Sequence, residues 1–348
     1  YRILFGDVGF GKTEVALHAA WMVANSGKKV IVMTPRKELS NQHFDTFSKR
    51  LKNTGISVVN FPSIKGRERT KAELKLRSKN KNNTVFISTH GILSAPKINN
   101  LGLVIIDEEQ KFGVRQKEEL RTVYDKSHVL WMTATAIPRT FEMTKEGIIS
   151  VSKLEIPPAQ RSSVISSNIS FDQEEFSKVI HEEFKRDGNV FIVTPRIEGL
   201  YEVKDLIKDT IPDGDILIGH GKMDFSSIMK SFRSGTKKVL ISTAIIEVGV
   251  DIPQANTMII HNASGFGLSQ LHQFRGRVGR SNVQAYCYTH TREDAKESAE
   301  SKVNAFLKTD SLGGGFELSK LDNEIRGAGT LIGTDQKGTA NFNKRGIL

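Results

Sequence analysis

The sequence predicts an α/β protein of two tandem parallel-sheet domains, and three observations carry that expectation. Short β-rich apolar runs alternate with helical stretches along most of the chain. The alternation breaks once, at Ile156-Pro157-Pro158-Ala159, and then starts again. The length, 348 residues, suits two domains of roughly 150 residues and a tail. The expected organisation is a first domain over 1–154, a linker over 155–162, a second domain over 163–307 and an appended element over 308–348.

In the first half the expected strands are Ile3–Phe5, Val30–Thr34, Val85–Ser88, Leu103–Asp107 and Val129–Thr133. Helices are expected over Glu14–Ala24, Lys37–Leu51 and Arg115–Tyr124. The second series places strands at Val190–Thr194, Asp215–Ile218, Val239–Ser242, Met258–His261 and Ala285–Thr289. Both series end apolar strands in Thr or Asp followed by a loop, and in open parallel sheets those strand ends are where ligands bind. Beyond 307 the chain turns Gly-rich, with Gly313-Gly314-Gly315, Gly327, Gly329, Gly333 and Gly338.

Composition is that of a globular protein, 38% hydrophobic and 26% charged, and no apolar run approaches the ~18 residues of a membrane span. Lys and Arg outnumber Asp and Glu by 50 to 39, a formal charge of +11 that favours a polyanionic partner. A densely basic stretch, Lys65–Lys81, fits either that partner or a solvated helix face. The single cysteine, Cys287, excludes an internal disulfide and a cysteine-based zinc site, and points to a reducing, cytoplasmic compartment. The chain opens on Tyr1 without an initiator Met, directly before a phosphate-loop motif, so a fragment of a longer protein is expected.

That motif is Gly6-Asp7-Val8-Gly9-Phe10-Gly11-Lys12-Thr13, placed between a strand and a helix as a Walker A loop is. Gly6, Gly9 and Gly11 let backbone amides curl around phosphates, Lys12 reaches the β and γ phosphates, and Thr13 offers its hydroxyl to Mg2+. Asp107-Glu108 follows an apolar strand as a Walker B pair does. Asp107 is expected to hold magnesium through its water shell and Glu108 to polarise the attacking water as general base; taken alone, the pair also fits an acidic turn that caps the following helix. Thr133-Ala134-Thr135 lies where the domains would face each other. At comparable strand ends, Thr34-Pro35-Arg36 and Ser88-Thr89-His90 could grip a phosphate backbone, which makes Arg36, Thr89 and His90 candidate DNA contacts.

In the second half, Gln273-Phe274-Arg275-Gly276-Arg277-Val278-Gly279-Arg280 sets three arginines at close spacing among glycines. Such density suits a compact anion, and Arg277 and Arg280 are the candidates for stabilising charge on a transferring phosphoryl group. In Ser242–Asp251, Thr243 is a candidate DNA contact, while Gly249 and Asp251 approach the nucleotide, Asp251 at either the ribose or the arginines. His220, in Gly219-His220-Gly221, is either a structural histidine or a DNA contact.

The ordered set GDVGFGKT, TPRKELSNQH, DEEQ, TAT, STAIIEVGVDIP and QLHQFRGRVGR resembles motifs I, Ia, II, III, V and VI of the superfamily 2 helicases over nearly the whole chain. Within them it is similar to the duplex-DNA translocases, the RecG and transcription-repair coupling factor families; GDVGFGKTEVAL and DEEQ are closer to the coupling factors. The resemblance implies two RecA-like domains, ATP and Mg2+ as nucleotide and metal, and movement along double-stranded DNA. It also implies RNA polymerase and excision-repair proteins as partners through domains outside this chain. Leu321–Gln336 resembles the TRG hook shared by both families, implying a C-terminal helical hook that couples closure to translocation, with Arg326 as a DNA contact. Two other readings stand beside this one: a RecG-like branch-migration helicase, and a truncated DNA-binding module without turnover. Three positions depart from the family pattern: Ala136, Arg36, and the stretch from Met223 to Phe232, which is about one helical turn short.

Overall fold

The computed structural model describes residues 1–61, 70, 71, 73, 82–94, 98–113, 116, 120, 126–134, 149–158, 163–244, 255–279, 283–292, 294, 295 and 297–309. The expected helix Arg115–Tyr124, the basic stretch Lys65–Lys81 and the C-terminal element fall largely outside them.

The first lobe is a seven-stranded parallel sheet. In chain order its strands are β1 (Arg2–Gly6), β2 (Lys29–Thr34), β3 (Ser57–Asn60), β4 (Thr84–Thr89), β5 (Leu101–Ile106), β6 (His128–Thr133) and β7 (Ser150–Leu154). Across the sheet they run β3-β4-β2-β5-β6-β1-β7. Because β2, β4 and β5 lie inside the sheet, both faces of each need apolar cover, and their Val/Ile-rich sequences supply it. Val30, Val32, Val85, Ile87 and Ile105 face one way, against Ala16, Leu17 and Ala20 of α1 (Lys12–Asn25) and Phe47 of α2 (Lys37–Arg50). Ile31, Met33, Phe86, Val104 and Ile106 pack on the opposite face with Trp131.

The second lobe is a six-stranded parallel sheet, β10-β11-β9-β12-β13-β8. Its strands are β8 (Ile165–Asn168), β9 (Asn189–Thr194), β10 (Ile216–Gly219), β11 (Val239–Thr243), β12 (Ala255–Ile260) and β13 (Tyr286–Thr289). Helices α3 (Gln173–Lys185) and α4 (Ile197–Ile207) cover one face through Phe176, Ile180, Leu200 and Val203. Three more helices, α5 (Phe225–Arg233), α6 (Leu268–Arg275) and α7 (Glu297–Lys308), cover the other through Phe232, Phe274 and Phe306. Short as it is, α5 still buries Met229 and Phe232, so its missing turn does not open the core.

Three strands escape a reading of apolar runs: β3, β7 and β8. Each lies at a sheet edge, exposes at least half of its residues and carries polar side chains, which is how edge strands avoid pairing with other chains. Asp215 is not in a strand, contrary to expectation. It closes a 3-10 turn over Asp213–Asp215, its amide bonded to Pro212 O at 2.8 Å, because the Pro212-Asp213-Gly214 sequence favours a turn there.

Candidate active site

Walker A residues leave β1 and enter α1 through a loop with two left-handed glycines, Gly9 (φ 77°) and Gly11 (φ 86°). Gly11 caps the helix, and there only its positive φ demands glycine, since a Cβ would meet open space. The Lys12 ammonium turns back over the loop and donates to Gly6 O at 2.6 Å and Asp7 O at 3.0 Å. Burial pulls its pKa down, opposed by the carboxylates of Glu108, Asp107 and Asp7, with Arg277 pulling in the same direction as burial.

At the end of β5, Asp107 is buried and its Oδ1 accepts the Glu108 amide at 2.9 Å. Oδ2 lies 2.7 Å from His43 Nε2 of α2. Burial raises the Asp107 pKa, but the His43 bond and charge, Lys12 and the Glu108 amide outweigh it and hold the acid below its ordinary range. Glu108 moves the opposite way: burial and the neighbouring Asp107 charge raise it, against the pull of Arg277, Lys12 and Gln110. Neighbouring acids pushed apart in this way suit one to a metal and the other to proton work.

Glu108 sits at φ 53°, in the left-handed region. The other non-glycine residues with positive φ among the described residues, Asn53, Asn100, Asp187 and Asn262, are of the types that tolerate it. Glutamate is not, so the strain is held by its surroundings, as at functional sites. The Glu108 amide donates to Asp107 Oδ1 at 2.9 Å and its carbonyl accepts the Lys111 amide at 2.8 Å, while Gln110 fixes the side chain: Gln110 Nε2 donates to Glu108 Oε2, and Gln110 Oε1 accepts Thr133 Oγ1–H at 2.9 Å. Gln110 thereby ties the acid pair to Thr133-Ala134, the described part of Thr133-Ala134-Thr135.

From the second lobe, α6 and the turn after it reach this crevice. Arg277 is buried, and its charge acts on both Lys12 and Glu108. His272 Nε2 donates to Asp7 Oδ1 of the phosphate loop. At Gly276 the lobes touch: an added Cβ would stand 2.6 Å from Val8 Cβ, so only glycine fits.

The structure therefore brings Gly6, Gly9, Gly11, Lys12, Thr13, Asp107, Glu108 and Arg277 to one inter-lobe site. Arg280, Gly249, Asp251 and Arg326 lie outside the described residues. The candidate DNA contacts are spread over strand ends of both sheets. Arg36 and His90 are exposed, Thr243 and His220 half-buried, and Thr89 buried. Thr34 of β2 pairs with Thr89 of β4, and Thr194 of β9 pairs with Thr243 of β11.

Four residues of this arrangement carry no role in the sequence reading: His43, Gln110, His272 and Arg196. The first three stand inside recognised motifs, but nothing local tells which polar atom each will meet. Arg196 had a findable signal, since Thr194-Pro195-Arg196 repeats Thr34-Pro35-Arg36. The repeat extends to geometry. Thr34 Oγ1 donates to Arg36 O at 3.0 Å and Thr194 Oγ1 to Arg196 O at 2.7 Å, and each arginine is the extended N-cap of the next helix, with φ −135° and −134°.

Residues 3–144 match the DEAD/DEAH box helicase family and residues 173–282 the helicase conserved C-terminal domain. The chain belongs to the superfamily 2 helicases, whose two α/β lobes it reproduces. More particularly, it is similar over 97% of its length to transcription-repair-coupling factors, 42% identical to that of Borreliella burgdorferi and 41% to that of Bacillus subtilis. It spans 30% and 29% of the lengths of those curated relatives. A solved structure of RecG bound to a three-way DNA junction superposes with a TM-score of 0.73 at 32% identity, covering 92% of this chain and 43% of that one. Dbp5 of S. cerevisiae bound to RNA and ADP BeF3 shares the fold, with a TM-score of 0.65 at 15% identity over 93% of this chain and 88% of that one.

Proposed function

We propose that this chain is the ATP-driven motor of a double-stranded DNA translocase of the transcription-repair coupling type, with lobes over 1–154 and 163–307. What supports the reading is one juxtaposition: the Lys12 and Glu108 side chains of one lobe lie within electrostatic reach of Arg277 from the other. A nucleotide between them is gripped from both sides, as phosphoryl transfer requires.

In this mechanism the loop amides and Lys12 hold the phosphates, which draws the ammonium off Gly6 O and Asp7 O. Glu108, with its raised pKa and its carboxylate oriented by Gln110, takes a proton from the attacking water. Arg277 meets the charge that develops on the γ-phosphoryl oxygens. The oxygen donors Thr13 and Asp107 suit magnesium in chemistry and charge and would hold it; the ion would supply positive charge against the β and γ phosphates. Turnover loosens the Arg277 contact, and the paired Thr-Pro-Arg strand ends of the two lobes then shift relative to each other along a phosphate backbone.

RNA polymerase and excision-repair proteins are the partners proposed for the whole protein. A RecG-like branch-migration role shares the same motor, favoured by the similarity to junction-bound RecG. The test of the motor is ATPase of this chain with magnesium, with and without linear duplex DNA. Turnover stimulated by duplex is the expected result; binding of duplex with no turnover overturns it in favour of a DNA-binding module.

A further inference from the structure

His43 lies in the second turn of α2, buried among Leu39, Ser40 and Phe47 on a helix face that otherwise serves the core. An imidazole in that position costs desolvation unless its N–H is matched, and its match is Asp107 Oδ2 at 2.7 Å. An ionised carboxylate only accepts, so Nε2 carries the proton. Phe47 meets the imidazole edge-on, with centroids 6.0 Å apart and planes at 82°, so the ring's orientation is fixed by packing rather than by solvent. The other carboxylate oxygen is held by the Glu108 amide at 2.9 Å, and the Asp107 amide donates to Met33 O at 2.9 Å. The carboxylate is therefore pinned at both oxygens and at its backbone.

We propose that His43 is the positioning residue of the magnesium site, donating Nε2–H to Asp107 so that the carboxylate presents its remaining lone pairs to the ion in one orientation. The inference rests on the reading of Asp107 as a magnesium-holding residue and adds a residue from a separate element to that site. Partners that orient a metal ligand in this manner typically control metal affinity or activity by about ten- to hundredfold.

The experiment uses the whole chain and Mn2+ as probe. Mn2+ affinity of the ADP-bound protein is read by electron paramagnetic resonance, and magnesium half-saturation is read in the ATPase assay. His43→Leu is expected to weaken Mn2+ binding at least about tenfold, with fluorescent ADP binding in EDTA unchanged. His43→Gln, whose amide N–H falls near the position of Nε2, restores affinity to within about threefold, a rescue that mere filling of the core would not produce. Should the Leu variant fail to fold, His43→Asn, polar but too short to reach Asp107, carries the same expectation. Mn2+ affinity in His43→Leu or His43→Asn equal to the parent's overturns the proposal, as does His43→Gln as weak as His43→Asn. A parent chain that binds no metal with ADP overturns both this inference and the motor reading, whereas a metal-dependent parent with indifferent variants overturns this inference alone.

Discussion

His272 of the second lobe donates its Nε2–H to the carboxylate of Asp7 in the Walker A loop of the first, so a direct hydrogen bond joins the two lobes at the candidate nucleotide site. The other ring nitrogen is 3.2 Å from Arg275 Nη2, and a guanidinium only donates, so Nδ1 accepts and the proton facing Asp7 lies on Nε2. Arg275 in turn donates to Phe306 O at 3.3 Å and lies 4.6 Å from the centre of the Phe306 ring. The phosphate loop is thereby linked through α6 to the end of α7.

His272→Ala leaves a buried carboxylate short of its strongest partner, and is expected to cost about 1–3 kcal/mol of stability at neutral pH. Burial raises the Asp7 pKa, but His272, the Val8 amide and Lys12 together bring it from 3.8 to about 2. A depressed folded-state pKa contributes stability above the unfolded value, and that stability is lost as pH falls from 3.8 toward 2. Thermal melts of parent and variant should therefore differ at pH 6 and converge near pH 2; an equal gap at both pH values contradicts the assignment.

Glu108→Gln and Lys12→Ala should each abolish turnover, by at least about a hundredfold for loss of the general base. The parent's ATPase should also fail on the acid side at a higher pH than an ordinary carboxylate would dictate, since burial and Asp107 raise Glu108. Protonated Glu108 cannot accept the proton, so the rate falls as pH drops through that raised value. A pH–rate profile flat across that range would exclude Glu108 as the base.

Arg277→Ala is expected to lower kcat about a thousandfold with little change in nucleotide affinity, because the guanidinium meets charge that develops only in the transition state. Arg277→Lys should rescue poorly, an ammonium lacking the fork of donors. A change confined to KM would assign Arg277 to ground-state binding instead.

Gln110→Ala removes the side chain that joins Glu108 to Thr133. Steady-state kinetics should show reduced kcat with KM for ATP nearly kept, and Thr133→Val a smaller loss in the same direction. Parental kcat in Gln110→Ala would show that the Glu108 carboxylate is oriented without Gln110.

Arg36→Ala and Arg196→Ala, at equivalent helix N-caps of the two lobes, should weaken duplex binding alike whatever the sequence. Each should reduce the slope of log affinity against log salt by about 1. Unchanged slopes would remove the phosphate contact from both positions.

Much of the fold was legible because central strands of a parallel sheet must be apolar on both faces, and runs such as Val30–Thr34 and Val190–Thr194 announce themselves. Edge strands β3, β7 and β8 were not, because one free side removes the need for that pattern. The phosphate loop, the acid pair and Arg277 were legible for a different reason: their chemistry demands particular residue types at fixed local spacing.

Amino-acid order alone pointed to the two-sheet architecture and to the candidate residues for phosphate, metal and water, since each motif depends on neighbours within a few positions. Only the folded chain decided that His43 would meet Asp107, Gln110 would join Glu108 to Thr133, and His272 would cross to Asp7. Those pairs are 64, 2 and 23, and 265 residues apart in sequence. A buried polar group bonds whatever partner the packing of sheets and helices brings within about 3 Å, and that proximity is a property of the whole fold.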